Sequence, residues 1–296
     1  MNEKYIIDTD IGDDIDDVLA IAYAVKSHLN IVGITTVFRN ADKRAKMAKH
    51  TLKLLKRKDI PVFAGENFPI KAPIISREND QYNEQGEFIP CQYSDVMDSE
   101  TYENMSAVEF IINTIRENPH EITIILIGPQ TNMARALEMA PDIGPKIKEI
   151  IAMAGSFYED TIAEWNVLCD PEAAEKVLAA GIPMKFVGLD VTKKCCLKDD
   201  LLQSFLGNES CLISFVNQLM KKWSVHYGYR KPVLHDPLTI GILLQPYVDF
   251  KNEQISIGLS NNDYGFTRLG GALKAKIGAE VDAQKFMNDF IRVVCE

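Results

Sequence analysis

The sequence has no long apolar run and no excess of positive charge. No stretch of its 296 residues approaches the ~20 consecutive apolar residues of a transmembrane helix, and residues 1–4 do not lead into the apolar core of a signal peptide. Lys and Arg number 32 against 42 Asp and Glu, a formal net charge of −10. Binding of nucleic acid polymers depends on clustered cations. We therefore expect a cytoplasmic protein with neither a membrane nor a nucleic acid polymer as partner.

Cysteine and histidine are also scarce. The six cysteines include no CxxC pair, and none of the five histidines stands at zinc-finger spacing from them. We expect reduced, mostly structural cysteines. A content of 46% hydrophobic and 25% charged residues is ordinary for a globular protein, and the length allows a sizeable core. We expect one domain over residues 1–296.

Short segments rich in Ile and Val alternate with segments whose apolar residues recur at helical spacing. The predicted strands are residues 4–9, 30–37, 60–64, 122–127, 149–153 and 183–189. The predicted helices between them are residues 16–27, 41–56, 106–118, 131–139 and 171–180. This alternation predicts an α/β fold with an open, mostly parallel, doubly wound (Rossmann-like) sheet and helices on both faces.

The second half of the chain is less regular. Further helices are predicted over residues 198–229, with an interruption near Gly207, and over residues 237–244 and 280–294. Residues 248–273 alternate enough to predict a small hairpin. Residues 68–105 have little periodicity and predict a long loop. Loops of this length are usually functional or disordered.

Six aspartates fall within ten residues directly after the apolar run at residues 5–7, namely Asp8, Asp10, Asp13, Asp14, Asp16 and Asp17. Ionised neighbours about 4 Å apart repel by about 1 kcal/mol in water, and by more when buried. A divalent cation would relieve this repulsion, and carboxylate oxygens favour Ca²⁺ or Mg²⁺ over zinc. A helix start would explain the last four aspartates. It does not explain Asp8 and Asp10, which lie at the C-terminal end of a predicted strand, where open α/β sheets bind ligands.

The Asp8-x-Asp10 pair also resembles the DxD pair of Mg²⁺-dependent haloacid-dehalogenase-like phosphatases, in which the first Asp is the nucleophile. The fit is poor, because the segment continues through more aspartates directly into a predicted helix. A two-residue motif has a high false-positive rate. The phosphatase stays a minor alternative.

A better match is to the calcium-dependent, inosine-uridine-preferring nucleoside hydrolases, whose N-terminal signature resembles the segment DTDIGDDIDDVLAIA that starts at residue 8. Other segments resemble the family in the same order: ITTVFRN (34–40), IGPQTN (127–132), MAG (153–155), EWN (164–166), DPEAA (170–174) and HDP (235–237). Each is weak alone, but together they are highly specific. On these motifs the chain is identified as a member of that family.

The resemblance implies hydrolysis of the N-glycosidic bond of ribonucleosides to ribose and free base. It implies a Ca²⁺ ion held by three carboxylates and one backbone carbonyl, those of Asp10, Asp17, Asp236 and Ile127. Asp10 would also accept a proton from the attacking water as general base. The residues that the resemblance assigns to the ribose are Asp16, Asn40, Glu164, Asn166 and Asp236.

Several positions leave alternatives open. His235 resembles a histidine that protonates the leaving base, and a structural role near a helix start is its alternative. Asp13 or Asp14 could replace Asp17 at the metal, because the acidic motif is two residues longer than its shortest form. Tyr227 and Tyr229 match positions near the base, and Asp160 is a candidate counterpart of an asparagine near the ribose 5′ hydroxyl.

The substrate is expected to be a small ribonucleoside, in purine or pyrimidine salvage. The loop at residues 68–105 lacks the His-Gly-x-Asp-Gly-like segment often present in the family, so the preferred base is not implied. The family also implies a homo-oligomer, either a dimer or a tetramer. A catalytically weak nucleoside-binding relative is the alternative function.

Overall fold

A nine-stranded sheet forms the centre of the computed structural model, which describes residues 3–71, 73–158, 162–228 and 231–296. The described strands are β1 (Lys4–Thr9), β2 (Ile31–Thr36), β3 (Val62–Ala64), β4 (Gln81–Tyr82), β5 (Phe88–Ile89), β6 (Ile122–Leu126), β7 (Glu149–Ala152), β8 (Met184–Phe186), β9 (Val248–Ile257), β10 (Thr267–Leu269) and β11 (Leu273–Val281). The large sheet has the order β10-β9-β11-β8-β7-β6-β1-β2-β3, and β4 pairs with β5 separately. All neighbours from β11 to β3 run parallel, whereas β9 is antiparallel to β10 and β11.

Helices cover both faces of this sheet. The described helices are α1 (Asp16–Lys26), α2 (Ala41–Leu54), α3 (Ala107–Glu117), α4 (Thr131–Met139), α5 (Trp165–Cys169), α6 (Pro171–Ala179), α7 (Leu189–Thr192), α8 (Asp199–Leu206), α9 (Cys211–Tyr227), α10 (His235–Gly241) and α11 (Ala283–Cys295). Ile124 packs in one buried apolar cluster and Ile125 in another. Successive strand side chains point to opposite faces, so these are the cores of the two faces. The predicted fold class is confirmed.

Local sequence signals explain where several helices begin. Ser106 and Glu109 form a capping box at the start of α3, and Asp170 caps α6, whose first residue is Pro171. Asn40 caps α2 by accepting a hydrogen bond from the Lys43 amide at 3.1 Å. None of the described helices has the length and apolar character to cross a membrane.

The hairpin predicted over residues 248–273 is wrong in its extent. The segment forms β9 and β10, and the chain continues into β11, which pairs in parallel with β8 and so joins the large sheet. β9 is buried near both ends and more exposed between them, and nothing local shows that β11 lies beside β8. The predicted break near Gly207 is present between α8 and α9.

The loop at residues 68–105 contains β4, β5 and a short 3₁₀ turn, Asp95–Met97. It packs against the acidic segment after β1. The backbone N–H of Gln92 donates to the Gly12 carbonyl at 3.0 Å, and the side-chain amide of Gln92 donates to the Asp14 carbonyl at 2.6 Å. This long loop therefore supports the aspartate-rich turn from outside the sheet.

The strand order reverses beside β1. From β1 the chain moves to β2 and β3 on one side, and β6, β7 and β8 follow on the other. Open α/β sheets bind ligands in the crevice at such a point, outside the carboxyl ends of the strands. Asp10 follows β1 and Ile127 follows β6, so the two flank this crevice.

Candidate active site

A cavity of about 290 Å³ opens at the crevice between β1 and β6. The sequence-predicted residues that line it are Asp10, Asp16, Asp17, Ile127, Glu164, Asn166, His235 and Asp236. Asp13 and Asp14, the alternative candidates for the metal, line it as well. These residues come from β1, α1, β6, α5 and α10 or from the turns beside them. The tertiary structure thus brings together residues from five segments of the chain.

Three carboxylates form a compact group inside the cavity. Asp16, Asp17 and Asp236 each offer an oxygen within 4.8 Å of the others, and all three side chains are buried. Asp16 accepts a hydrogen bond from the Asp236 amide at 3.1 Å, and Asp17 accepts one from the Thr9 hydroxyl at 2.5 Å. Hard oxygen ligands at this spacing are able to hold a divalent cation.

Burial raises the pKa of all three carboxyls well above the ordinary value, and repulsion from neighbouring aspartates raises it further. Burial likewise raises the pKa of Asp10, which lines the same cavity, to about 6. A bound cation would offset this unfavourable concentration of negative charge. The donor set therefore fits a hard metal ion.

Arg44 is a site residue that the sequence interpretation missed. Its side chain is fully buried, and it donates to the carbonyl oxygens of Phe38 at 2.8 Å and Ile11 at 2.9 Å, and also to that of Asp10. It forms an ion pair with Asp13 at 2.9 Å. A signal was present, because Arg44 stands on the buried face of α2 with the apolar residues Ala41, Ala45, Ala48 and Leu52.

The Arg44 ion pair distinguishes Asp13 from the aspartates of the compact carboxylate group. The carboxylate of Asp13 is balanced by the guanidinium. Asp14 accepts a hydrogen bond from the Ile15 amide at 2.7 Å. The compact carboxylate group contains Asp16 and Asp17 instead of these two. This arrangement favours Asp17 over Asp13 and Asp14 as a metal ligand.

Asp8 lies behind the cavity and does not line it. Its Oδ1 accepts hydrogen bonds from the Thr35 hydroxyl at 2.5 Å and from the Asn132 amide at 2.7 Å. Burial raises the pKa of Asp8 to about 7. A fully buried carboxyl with these two donors is not placed to attack a substrate. The phosphatase alternative, in which Asp8 is the nucleophile, therefore has no support.

Gly128 leaves space for the Asp10 side chain. A Cβ atom at Gly128 would lie 2.9 Å from the Asp10 amide nitrogen and 3.0 Å from its Oδ1. Any larger residue would push Asp10 out of position. The Gly-Pro turn after β6 thus allows the close approach of two strand ends.

Glu164 is fixed by the backbone around it. Its carboxylate accepts hydrogen bonds from the amides of Asn166 at 2.8 Å, Val167 at 3.1 Å and Gly155 at 3.2 Å, and so caps α5. Burial nevertheless raises its pKa to about 7. The side-chain amide of Asn166 donates to the Met153 carbonyl at 3.0 Å. Both side chains are held rigidly where they meet the cavity.

His235 stands at the start of α10 beside Asp236. Its Nδ1 lies 2.7 Å from the Thr192 hydroxyl oxygen. Burial lowers the pKa of His235 to about 4, and the positive charge of Lys193 contributes to the shift. The imidazole is therefore neutral at pH 7.

Asn40 is the predicted site residue that the structure does not bring to the cavity. Its oxygen caps α2 and its amide donates to the Phe88 carbonyl at 2.8 Å, which connects α2 with β5. The assignment of Asn40 to the ribose stays a prediction. Asp160 and Tyr229 lie outside the described residues. Tyr227, described at the end of α9, contacts the loop residue Arg77.

Comparison with known proteins shows which family the chain resembles. A family model described as inosine-uridine preferring nucleoside hydrolase matches residues 5–288. The pyrimidine-specific ribonucleoside hydrolase RihA of Salmonella arizonae is 32% identical, over 96% of this chain and 95% of its own. Uridine nucleosidase 1 of Arabidopsis thaliana is 31% identical, over 92% and 85%. The solved structure of a plant nucleoside hydrolase, PpNRh1, has a TM-score of 0.84 at 25% identity and covers 100% of this chain and 99% of that one. The chain thus belongs to the inosine-uridine preferring nucleoside hydrolase family, as its motifs predicted.

Proposed function

We propose that this nucleoside hydrolase, which cleaves the N-glycosidic bond of ribonucleosides, depends on one Ca²⁺ ion and uses Asp10 as its general base. The observation that carries the proposal is the group of buried carboxylates, Asp16, Asp17 and Asp236, beside Asp10 in one cavity. Cytoplasmic purine or pyrimidine salvage by a dimer or tetramer is the setting that we propose from the family resemblance.

The proposed ligands of the cation are the carboxylates of Asp10, Asp17 and Asp236 and the carbonyl oxygen of Ile127, all from residues that line the cavity. Calcium prefers such oxygen ligands and accepts 6–8 of them. When bound, the cation would supply positive charge that orients the attacking water and lowers its pKa. Asp16 also belongs to the compact carboxylate group, and we assign it to the ribose.

Asp10 would accept the proton of the attacking water. Burial raises its pKa to about 6 before a cation binds, and the charge of a bound cation would lower it, so the carboxylate would be ionised and able to accept a proton at neutral pH. The ribose would take on positive charge as the base departs, by analogy with other glycoside hydrolyses. The proposed ribose ligands Asp16, Glu164, Asn166 and Asp236 would bind its hydroxyls, and their carboxylates would stabilise that charge.

His235 would donate its N–H to the leaving base. A neutral imidazole carries one N–H, and the Thr192 hydroxyl can donate to Nδ1 and thereby keep the proton on Nε2. Desolvation lowers the pKa of His235, so its protonated form would be a stronger acid than an ordinary imidazolium.

Substrate hydrolysis in calcium and after chelation tests the proposal directly. We expect release of reducing sugar from ribonucleosides and at least ~10²-fold less from the matched 2′-deoxyribonucleosides, which lack one ligand for the buried carboxylates. Chelation should reduce turnover by a similar factor, and calcium should restore it. Unchanged turnover after chelation would contradict the role of the cation. Measured calcium binding without cleavage of any nucleoside would favour the weak nucleoside-binding alternative.

The variant Asp10→Asn tests the general base. It should lower kcat by at least ~10²-fold, the scale of losing a positioned base, and weaken calcium binding measured by titration calorimetry. The matched control is Asp59→Asn, which makes the same change at an exposed position paired with Arg57, and it should leave both quantities unchanged. Normal turnover in Asp10→Asn would mean that another residue is the base.

The stabilisation by calcium should depend on pH. Burial raises the pKa of Asp10, a proposed calcium ligand, to about 6, so a proton occupies this carboxyl at low pH and must leave before its charge can attract a cation. The increase in Tm on adding calcium should therefore grow as the pH rises from about 5 to about 7.5. Comparing the protein with and without calcium cancels the opposite contribution of His235, whose pKa is lowered. An increase that is independent of pH would show that Asp10 does not bind the cation.

The variant His235→Ala tests protonation of the leaving base. It should slow hydrolysis of nucleosides by ~10²-fold or more, but slow 4-nitrophenyl riboside much less, because that leaving group needs no proton. His28→Asn serves as a control at an exposed position with positive φ that asparagine tolerates. Equal losses on both substrate types would indicate that His235 positions the ribose.

A further inference from the structure

Arg77 places a positive charge at the acidic cavity. It belongs to the loop at residues 68–105 and lines the cavity together with Trp165. Its guanidinium carbon lies 3.6 Å from the centre of the Trp165 ring and 5.3 Å from that of Tyr227. It donates a hydrogen bond to the Tyr227 hydroxyl at 2.8 Å. Two aromatic rings and a hydrogen bond thus hold its position.

A buried ion pair between Arg39 and Asp80 helps to fix the position of Arg77. One carboxylate oxygen of Asp80 accepts hydrogen bonds from the Arg77 amide at 2.6 Å and from the Arg39 guanidinium at 2.8 Å. The Arg39 and Asp80 side chains are only 2% and 4% exposed. Asn79 donates to the His226 carbonyl at 3.1 Å, which attaches the same turn to the end of α9. Asn79 and Asp80 therefore anchor the turn that follows Arg77.

The described lining of the cavity has two chemically different parts. One part contains the carboxylates, which suit ribose hydroxyls and a cation. The other contains Arg77 and Trp165, whose stacked planar groups suit a flat heterocycle. Among the described lining residues, Arg77 is the one arginine or lysine, and it supplies a permanent positive charge. A guanidinium has five N–H donors in one plane, and among described residues one goes to Tyr227.

We propose that Arg77 binds the departing nucleobase through a hydrogen bond from its guanidinium to an exocyclic carbonyl oxygen, and so makes the enzyme prefer bases that carry such an oxygen over adenine. This proposal rests on the proposed function, because it deepens the same site. The ring of Trp165 stacks against the guanidinium and orients it, and the Arg39–Asp80 ion pair positions the backbone of Arg77.

The chemistry of the step requires a donor at this place. The water oxygen bonds to C1′ while the C1′–N bond breaks, and the electron pair of that bond goes to the base. In a base with a carbonyl group the negative charge spreads to the oxygen, where a charged donor stabilises it more in the transition state than in the substrate. Asp10 takes the proton of the water, and the base receives a proton from His235 or solvent. Arg77 keeps its own proton throughout.

The variant Arg77→Ala tests the proposal with substrates that differ in the base. We expect kcat/KM to fall ~10- to 100-fold for inosine and uridine, the scale of one hydrogen bond to a charged group. Adenosine and 4-nitrophenyl riboside lack a carbonyl oxygen on the leaving group and should change less than ~3-fold. Arg77→Lys keeps the charge but loses the planar donor, and should recover only part of the preference. An equal loss on all four substrates would overturn the proposal.

Two further variants separate recognition of the base from folding of the loop. Glu78→Ala alters the exposed neighbour of Arg77, which does not line the cavity, and should leave all four rates unchanged. Asp80→Asn weakens the anchor of the loop and should lower the ratio of inosine to adenosine rates as Arg77→Ala does. An unchanged ratio in Asp80→Asn, with a loop shown by limited proteolysis to be loosened, would contradict the positioning role.

Binding of free bases keeps this test independent of turnover. Titration calorimetry with hypoxanthine and adenine should show ~10-fold or more weaker binding of hypoxanthine to Arg77→Ala, and little change for adenine. If the native protein cleaved no nucleoside, the proposed function would fail while this binding difference could still be measured. Equal affinities of the native protein and Arg77→Ala for hypoxanthine would overturn the role of Arg77.

Discussion

Repulsion between buried carboxylates is the constraint on which the site depends. Asp10, Asp16, Asp17 and Asp236 lie in one cavity, and burial raises the pKa of each. Arg44 offsets part of this negative charge, because it forms an ion pair with Asp13 and donates hydrogen bonds to backbone carbonyls of the acidic turn. A divalent cation would offset the rest from the side of the cavity. The acidic turn can fold because α2 supplies the guanidinium of Arg44, and because hydroxyl and amide donors satisfy several carboxylate oxygens.

Many polar groups of the site serve the backbone as well as the cavity. Glu164 caps α5, and Asp16 accepts a hydrogen bond from the first turn of α10. Asn132 connects Asp8 with the Glu66 amide and thus links β1 to the segment after β3. Such bonds fix the carboxylates before any substrate arrives, which reduces the reorganisation that binding and catalysis would otherwise require.

Local patterns predicted the parallel strands from β8 to β3 well, because each is a short apolar run with helical segments before or after it. β1 and α4 have the predicted bounds, and the other predicted strands differ from the observed ones by a few residues at their ends. The prediction failed at β11, whose partner β8 lies far away in sequence. Hydrogen bonding between distant strands leaves little trace in local composition.

The sequence by itself determined the family, the fold class and most of the residues in the cavity, since aspartates at strand ends and helix starts are readable from spacing. Only the tertiary structure decided which contacts the side chains of the site make. It paired Asp13 with Arg44, directed Asn40 to the start of α2, and carried Arg77 from a loop without periodicity to the ring of Trp165. The physical reason is that charge pairing and stacking act through space between groups far apart in the chain, whereas propensity and periodicity report only on neighbours.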